Sequence, residues 1–595
     1  MTFARAAVAW MSRLGRSATV AVVVSLLAAS AASAASVTVF PIPGSRAASP
    51  QTQIAFRGLA ARRLGQVRVS GSRSGRHSGR LASDSDGDGA SFLPAKAFTP
   101  GEQVTVRTGL TIWGGRGGTF RFTVAEPAGS IAADHVSNNR RRPGDVMHFH
   151  SRPDLQPAAI TVLRNSTSAA GGDIFVGPQV GPVQNGPEIV DPAGHLVWFD
   201  PIPAGSEANN FRVQQYGGRP VLTWWQGYLN LRMGVGTGHD VIVDSSYHPA
   251  ASVHAANGLT ADLHEFELTR AGTALITAFF PVYWNTTSLH GSAHHPVLDA
   301  VIQEVDVKTG LLLFQWDSLD HVPLQASYLG LPAPNQAFDY FHVNSVHEDP
   351  DGSLIVSSRN TWAAYKISRQ DGHVMWTLGG KHSSFAMGPG AAFAFQHDVR
   401  VDAAGDARVT VFDDGAGPPS VHAQSRAIEL RLDSIRHTAT LAAEFTHSPS
   451  LLSHFEGGVE PLADGDDFVG WGEQPYFTEF SAAGQIVFDA RFAQPNTTYR
   501  AFRSVWSATP RTRPSVVMSV KGRGSTVYAS WNGATDVSAW RVLTGARAKA
   551  LSVAGSFARS GFETQMRVVR RTYVAVQALD ASGRVLGTSG TARAS

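Results

Sequence analysis

Short runs in which apolar and polar residues alternate, broken every eight to twelve positions by Gly, Pro, Asn or Asp, fill the chain almost from end to end. A period of two with such punctuation is the signature of β-strands and turns. Between residues 48 and 125 the runs include Gln66-Val67-Arg68-Val69, Val104-Thr105-Val106-Arg107 and Phe120-Arg121-Phe122-Thr123-Val124. About seven strands in so short a segment predict a small immunoglobulin-like sandwich. Residues 126–155 are a connector rich in Pro, Gly, Asn and Arg. From Ala159 a looser repeat begins: a strand, a Gly or Asp-Gly turn, then a strand ending in Trp or Phe. Instances are His195–Phe199, Asp306–Trp316, Asp371–Trp376 and Ala483–Phe488. Residues 156–508 therefore predict a β-propeller of about six blades at ~40 to 60 residues each. Residues 511–595, with Thr526–Trp531, Ala539–Leu543 and Thr572–Ala578, predict a second sandwich, of fibronectin type III kind. The expected fold class is all-β throughout.

Composition sharpens this picture. With 595 residues the chain exceeds any single ordinary core. Fifty-nine glycines, 32 prolines and only 16% charged residues suit turn-dense β structure. A net charge of +3 gives no reason to expect nucleic acid, and the one basic run, Arg140-Arg141-Arg142, reads as a solvated linker. Arg5, Arg13 and Arg16, an apolar run from Ala18 to Ala29 and Ala32-Ser33-Ala34 predict a secretory signal peptide over residues 1–34, cleaved near Ala34-Ala35. The protein is expected outside the cell, with no stable membrane insertion. The absence of cysteine excludes disulfides and thiolate metal sites. Asp84-Ser85-Asp86-Gly87-Asp88-Gly89 has the acidic spacing of a calcium loop, but its twelfth position is Ala95 rather than Glu, which favours a polar turn.

Candidate chemistry lies where three repeats begin on a histidine: His264 before Arg270-Ala271-Gly272, His342 before Asp351-Gly352, and His397 before Ala404-Gly405. The head of a blade's first strand faces a propeller's central channel. Arg359 ends the next strand after His342, and an antiparallel return brings it back beside that histidine. A guanidinium among imidazoles suits an oxyanion held in bidentate fashion. Three imidazoles could instead hold zinc or copper, though the arginine opposes a dication, and buried histidines that stitch blades together remain the plain structural alternative. His290, His294 and His295 read as a solvated loop.

Phe341-His342-Val343-Asn344-Ser345-Val346, Ser357-Ser358-Arg359, Trp376-Thr377-Leu378-Gly379-Gly380, Phe395-Gln396-His397-Asp398 and Phe412-Asp413-Asp414-Gly415 together resemble the motif series of the PAPS-independent bacterial arylsulfotransferases. The resemblance spans about residues 150 to 505. It implies a six-bladed propeller that moves a sulfuryl group from a phenolic sulfate ester to a phenolic acceptor through a sulfohistidine, without cofactor or metal. His397 would be the nucleophile, His342 and Arg359 would hold the sulfuryl oxygens, and His264 would complete the site. Asn344, Tyr340 and Trp362, close to these motifs, are expected to contact substrate. The chain differs from that pattern in lacking a cysteine pair and in carrying a sandwich at each end. A non-catalytic extracellular propeller that binds a ligand or a cell-surface glycan is the second reading.

Overall fold

Antiparallel strands joined by tight turns make up nearly all of the protein in a computed structural model that describes residues 36–133, 144–181, 183–401, 408–522 and 524–594. Among these, helix is confined to one turn at Ser318–His321 and three short 3-10 turns. The expected signal peptide and the Arg140-Arg141-Arg142 run lie outside the described residues. No described helix is long and apolar enough to cross a membrane.

Among the described residues, six sheets of four or five strands follow one another between Ile160 and Ser504 in a propeller-like arrangement, with a separate two-stranded pairing of Pro178–Gln179 and Thr497–Thr498. Their first strands are Phe502–Ser504, Glu207–Tyr216, Phe266–Leu268, Val343–Glu348, His397–Val401 and Gly458–Pro461. Polar contacts join each first strand, or the turn leading into it, to the next. Arg500 reaches Asn210 Oδ1 (2.9 Å), and Arg212 reaches Glu265 (3.1 Å). His347 then meets Glu267 (3.0 Å), and Val399 N–H donates to Ser345 Oγ (3.2 Å). Val459 N–H donates to Asp398 (3.2 Å) and Arg503 N–H to Glu460 (2.7 Å), which brings the series back to its start. Two strands come from far away in sequence. Ile160–Asn165 forms the outer edge of the last sheet against Ile486–Phe492, and Phe502–Ser504 supplies the first strand of the sheet that holds Asp173–Val176.

Because these sheets are covered on both faces, some of their strands are buried along their whole length and the two-residue alternation fades. Leu354–Ser358 and Leu312–Asp317 are buried at every position. Phe314 and Trp316 of one sheet share a core with Val346, Leu354 and Val356 of the next.

Ahead of the six, two four-stranded sheets face each other over Phe56, Phe92, Val104, Val106 and Phe122. After them, a three-stranded and a larger sheet enclose Met518, Val527, Trp540, Val542 and Met566. Both pairs are bonded to the central body. Ser85 donates twice to Asp306 (2.7 and 2.8 Å), while Asn532 exchanges hydrogen bonds with the main chain of Phe199 (3.0 and 2.8 Å). The Asp84–Gly89 segment is a turn closed by Arg57, whose guanidinium bonds Asp84 (2.6 Å) and Asp86 (2.6 and 3.1 Å) where a calcium loop would hold its ion. His295 departs from the loop reading. It sits buried in the strand His295–Asp306, paired with Trp284 across a twelve-residue hairpin.

Candidate active site

The first strand of each sheet is where main chain and chemistry meet. Register shifts interrupt three of them, between Asn209 and Arg212, Val343 and Ser345, and His397 and Arg400. Such bulges add a residue, bend the strand and redirect side chains. Asn210, His342, Asp398 and Glu456, within or just ahead of first strands, have positive φ values of 57°, 55°, 52° and 69°. Residues with side chains pay roughly 1–3 kcal/mol each for that backbone, and it concentrates at functional sites.

One result is a cavity of about 750 Å³ lined by His264, His342, Arg359 and His397 together. That volume falls in the range of small-molecule sites. The rings of His264 and His342 lie 4.9 Å apart, nearly perpendicular. Tyr499 stands 5.7 Å from His264 and 6.5 Å from His397, ring to ring. Arg359 donates its main-chain N–H to His342 O (3.0 Å), the antiparallel return expected from the sequence. Its guanidinium lies 4.8 Å over the Phe395 ring and bonds His454 O (2.9 Å) and Asn360 Oδ1 (3.1 Å). A guanidinium has five N–H donors; the remaining three make no bond to a described residue.

Each of the three histidines meets a carboxylate through Nδ1: Asp262 for His264, Asp339 for His342 (2.5 Å) and Asp414 for His397 (2.8 Å). An acceptor at Nδ1 fixes the tautomer and leaves Nε2 as the free lone pair. At His397 the assignment has a second support, because Glu456 N–H donates to Nε2 (3.3 Å), which requires an unprotonated nitrogen there. Burial and then the Arg359 cation hold the His397 pKa well below the usual imidazole range. His264 is lowered by burial against the pull of Asp262. Burial raises Asp414 well above the usual carboxylate range against the pull of the Arg359 cation, while the Nδ1 proton of His397 at 2.8 Å is the contact that favours its ionised form. Among the described residues no group of three His, Cys, Asp or Glu is gathered to hold a metal ion.

Ionised groups underlie the cavity. Glu265 accepts from Arg212 (3.1 Å), Arg400 (2.5 Å) and Arg500 (3.2 Å), and Arg400 also bonds Glu267 and Asp398, both at 2.7 Å. Three guanidinium groups thus face three carboxylates contributed by several sheets.

The three residues expected to contact substrate are not among those lining the cavity. Tyr340 is buried with its hydroxyl on Val322 O (3.2 Å). Asn344 ties sheets together, donating to Gln396 O (2.6 Å) while its carbonyl accepts from Arg500 (2.8 Å). Trp362 stacks on Tyr328, 3.7 Å between ring centres. In their place the cavity holds Tyr499 and Glu456, which sequence reasoning passed over. Burial raises Glu456 to about 8, and both of its oxygens accept from the Gln179 amide (2.7 and 2.9 Å). A signal for both existed: each lies at the head of a first strand, the position the histidines occupy.

Residues 212–493 match the arylsulfotransferase (ASST) family. Among curated proteins none matches in sequence. Solved structures with some likeness include a Bacteroides caccae protein of unknown function (13% identity, 56% of this chain and 98% of that one, TM-score 0.35). Another is the periplasmic gluconolactonase of Pseudomonas aeruginosa (15% identity, 71% and 96%, TM-score 0.29). The segment that matches the arylsulfotransferase family, 212–493, is the one that carries His264, His342, Arg359 and His397.

Proposed function

We propose that the protein is a secreted aryl sulfotransferase, a six-bladed propeller flanked by immunoglobulin-like and fibronectin type III-like sandwiches. It carries a sulfuryl group from a phenolic sulfate ester to a phenolic acceptor through His397. The observation that carries the reading is the neutral, Asp414-held imidazole of His397 beside the Arg359 guanidinium in one cavity.

The chemistry runs in two displacements. His397 Nε2 attacks sulfur, the N–S bond forms, the S–O(aryl) bond breaks and the phenolate departs. As the ring gains positive character, its Nδ1 proton is shared with Asp414, which opposes the developing charge. The acceptor phenol then gives up its proton to a neighbouring base, for which His264 is placed in the same cavity. Its oxygen attacks sulfur, the N–S bond breaks and neutral His397 returns. Sulfuryl transfer, like phosphoryl transfer, depends mainly on positioning and on stabilising the peripheral oxygens, a task for Arg359 and His342. Glu456 N–H rests on Nε2 at 3.3 Å, beyond the usual range, so it is released at small cost. Once released it is free to donate to a sulfuryl oxygen.

The test is brief exposure of the purified protein to p-nitrophenyl sulfate, followed by peptide mass spectrometry. Nitrophenol release and an added SO₃ on the His397 peptide are expected, both lost in His397→Asn. Equal nitrophenol release from the variant would sink the assignment.

A further inference from the structure

The connector that follows the N-terminal sheets does more than join two bodies. Tyr283 N–H donates to Glu126 O (2.8 Å) and Ala128 N–H to Pro281 O (2.9 Å), which adds the connector to the long strand Thr273–Trp284. Ile131 packs against the core that contains Val282 and Phe338. Asn230 Nδ2 then donates to Ala132 O (2.6 Å), while Asn230 Oδ1 accepts from Met233 N–H (2.9 Å). The turn fixed in this way, 230–234, touches the catalytic centre. A Cβ on Gly234 would stand 3.6 Å from His342 Cε1. Ser130 and Ala132 themselves line the cavity, facing a mouth that also presents the half-exposed apolar side chains of Leu231 and Phe455.

We propose that the connector 126–132 is a wall of the substrate cavity and limits the size of the aromatic acceptor, an inference that rests on the aryl-transfer reading. The residues facing inward are small, so the space beside His342 is set by main chain held at Asn230. A larger side chain at position 132 fills that space, and loss of the Asn230 tie widens it.

The experiment measures kcat/KM for 2-naphthol and for phenol as acceptors with p-nitrophenyl sulfate as donor, in the full chain, Ala132→Trp and Asn230→Ala. Unfolding temperature is recorded for each. Ala132→Trp is expected to lower the naphthol-to-phenol ratio about tenfold, within the discrimination that pocket shape can supply. Asn230→Ala is expected to raise the ratio, and decides the matter if the tryptophan variant does not fold. A ratio unmoved in every folded variant overturns the proposal. Should the wild type transfer sulfuryl to neither acceptor and form no adduct, the parent reading fails separately. The wall is then tested by calorimetric binding of 2-naphthyl sulfate, where equal affinity in wild type and variants, or no binding, overturns it.

Discussion

Replacing Glu265 with Gln removes one charge from the six-membered network under the cavity and leaves its neighbours almost unchanged in shape. Glu265 is fully buried and serves Arg212, Arg400 and Arg500 at once. After the substitution three guanidinium groups face only Glu267 and Asp398. An uncompensated charge in a buried pair costs about 3–5 kcal/mol. Spread over the roughly 350 residues from Ile160 to Ser504, at about 2.1 cal/mol/K each, the unfolding entropy is ~0.7 kcal/mol/K, so Tm should drop by about 4–7 °C. Differential scanning calorimetry of both proteins at one pH and salt concentration reads this directly. Arg436→Gln, which breaks only the exposed contact with Asp433 (3.5 Å), is the control and should leave Tm where it was. If Glu265→Gln melted within a degree of wild type, the network would not be what holds the first strands in register.

Other outcomes follow from the same geometry. Asp414→Asn should cost about 10³–10⁴ in kcat with little change in Tm, because an amide can donate to Nδ1 and move the proton onto Nε2; a single-turnover assay checks this. Arg359→Lys should lower kcat/KM by about 10–100-fold, since an ammonium cannot present a planar fork to the sulfuryl oxygens. Because His397 is held well below its ordinary value, kcat/KM should persist as pH falls through the usual imidazole range near ~6.5. Its buried neutral form should also make the fold less stable below that pH, where the unfolded chain binds the extra proton. Glu456 has the opposite sign. Its folded value near 8 means the native state keeps a proton that the unfolded chain releases, so stability is lost as pH rises toward 8. The advantage of Glu456→Gln over wild type in urea unfolding should therefore grow with pH, by at most about 1.4 kcal/mol per unit.

The all-β character and the histidine trio were legible because both are written locally. Turn residues punctuate the chain at regular spacing, and histidine stands out in strands. The pairing of Arg359 with His342 followed from hairpin geometry alone. Asp262, Asp339 and Asp414 went unassigned because a carboxylate at a turn reads as ordinary turn chemistry until its imidazole partner is in place. Glu456 and Tyr499 were hidden for a different reason. They lie just ahead of first strands, as His264 and His342 do, but carry different side chains, and only the sheet order reveals the likeness. Asn344, Tyr340 and Trp362 looked like substrate contacts through closeness in sequence. Tyr340 and Asn344 are instead buried and bonded within the body, and Trp362 lies half-buried against Tyr328.

The strand Phe502–Ser504 deserves a last consequence. It leaves the final sheet to complete the first, and the segment that leads into it carries Tyr499, in the cavity wall, and Arg500, in the network beneath. Completing the first sheet and finishing the cavity wall therefore depend on the same segment. Until this segment docks, His264 and His397 lack the tyrosine that stands beside both, and Glu265 lacks one of its three cations. A chain cut ahead of Tyr499 should keep folded middle sheets by limited proteolysis yet release no nitrophenol, an enzyme switched on by its own closure.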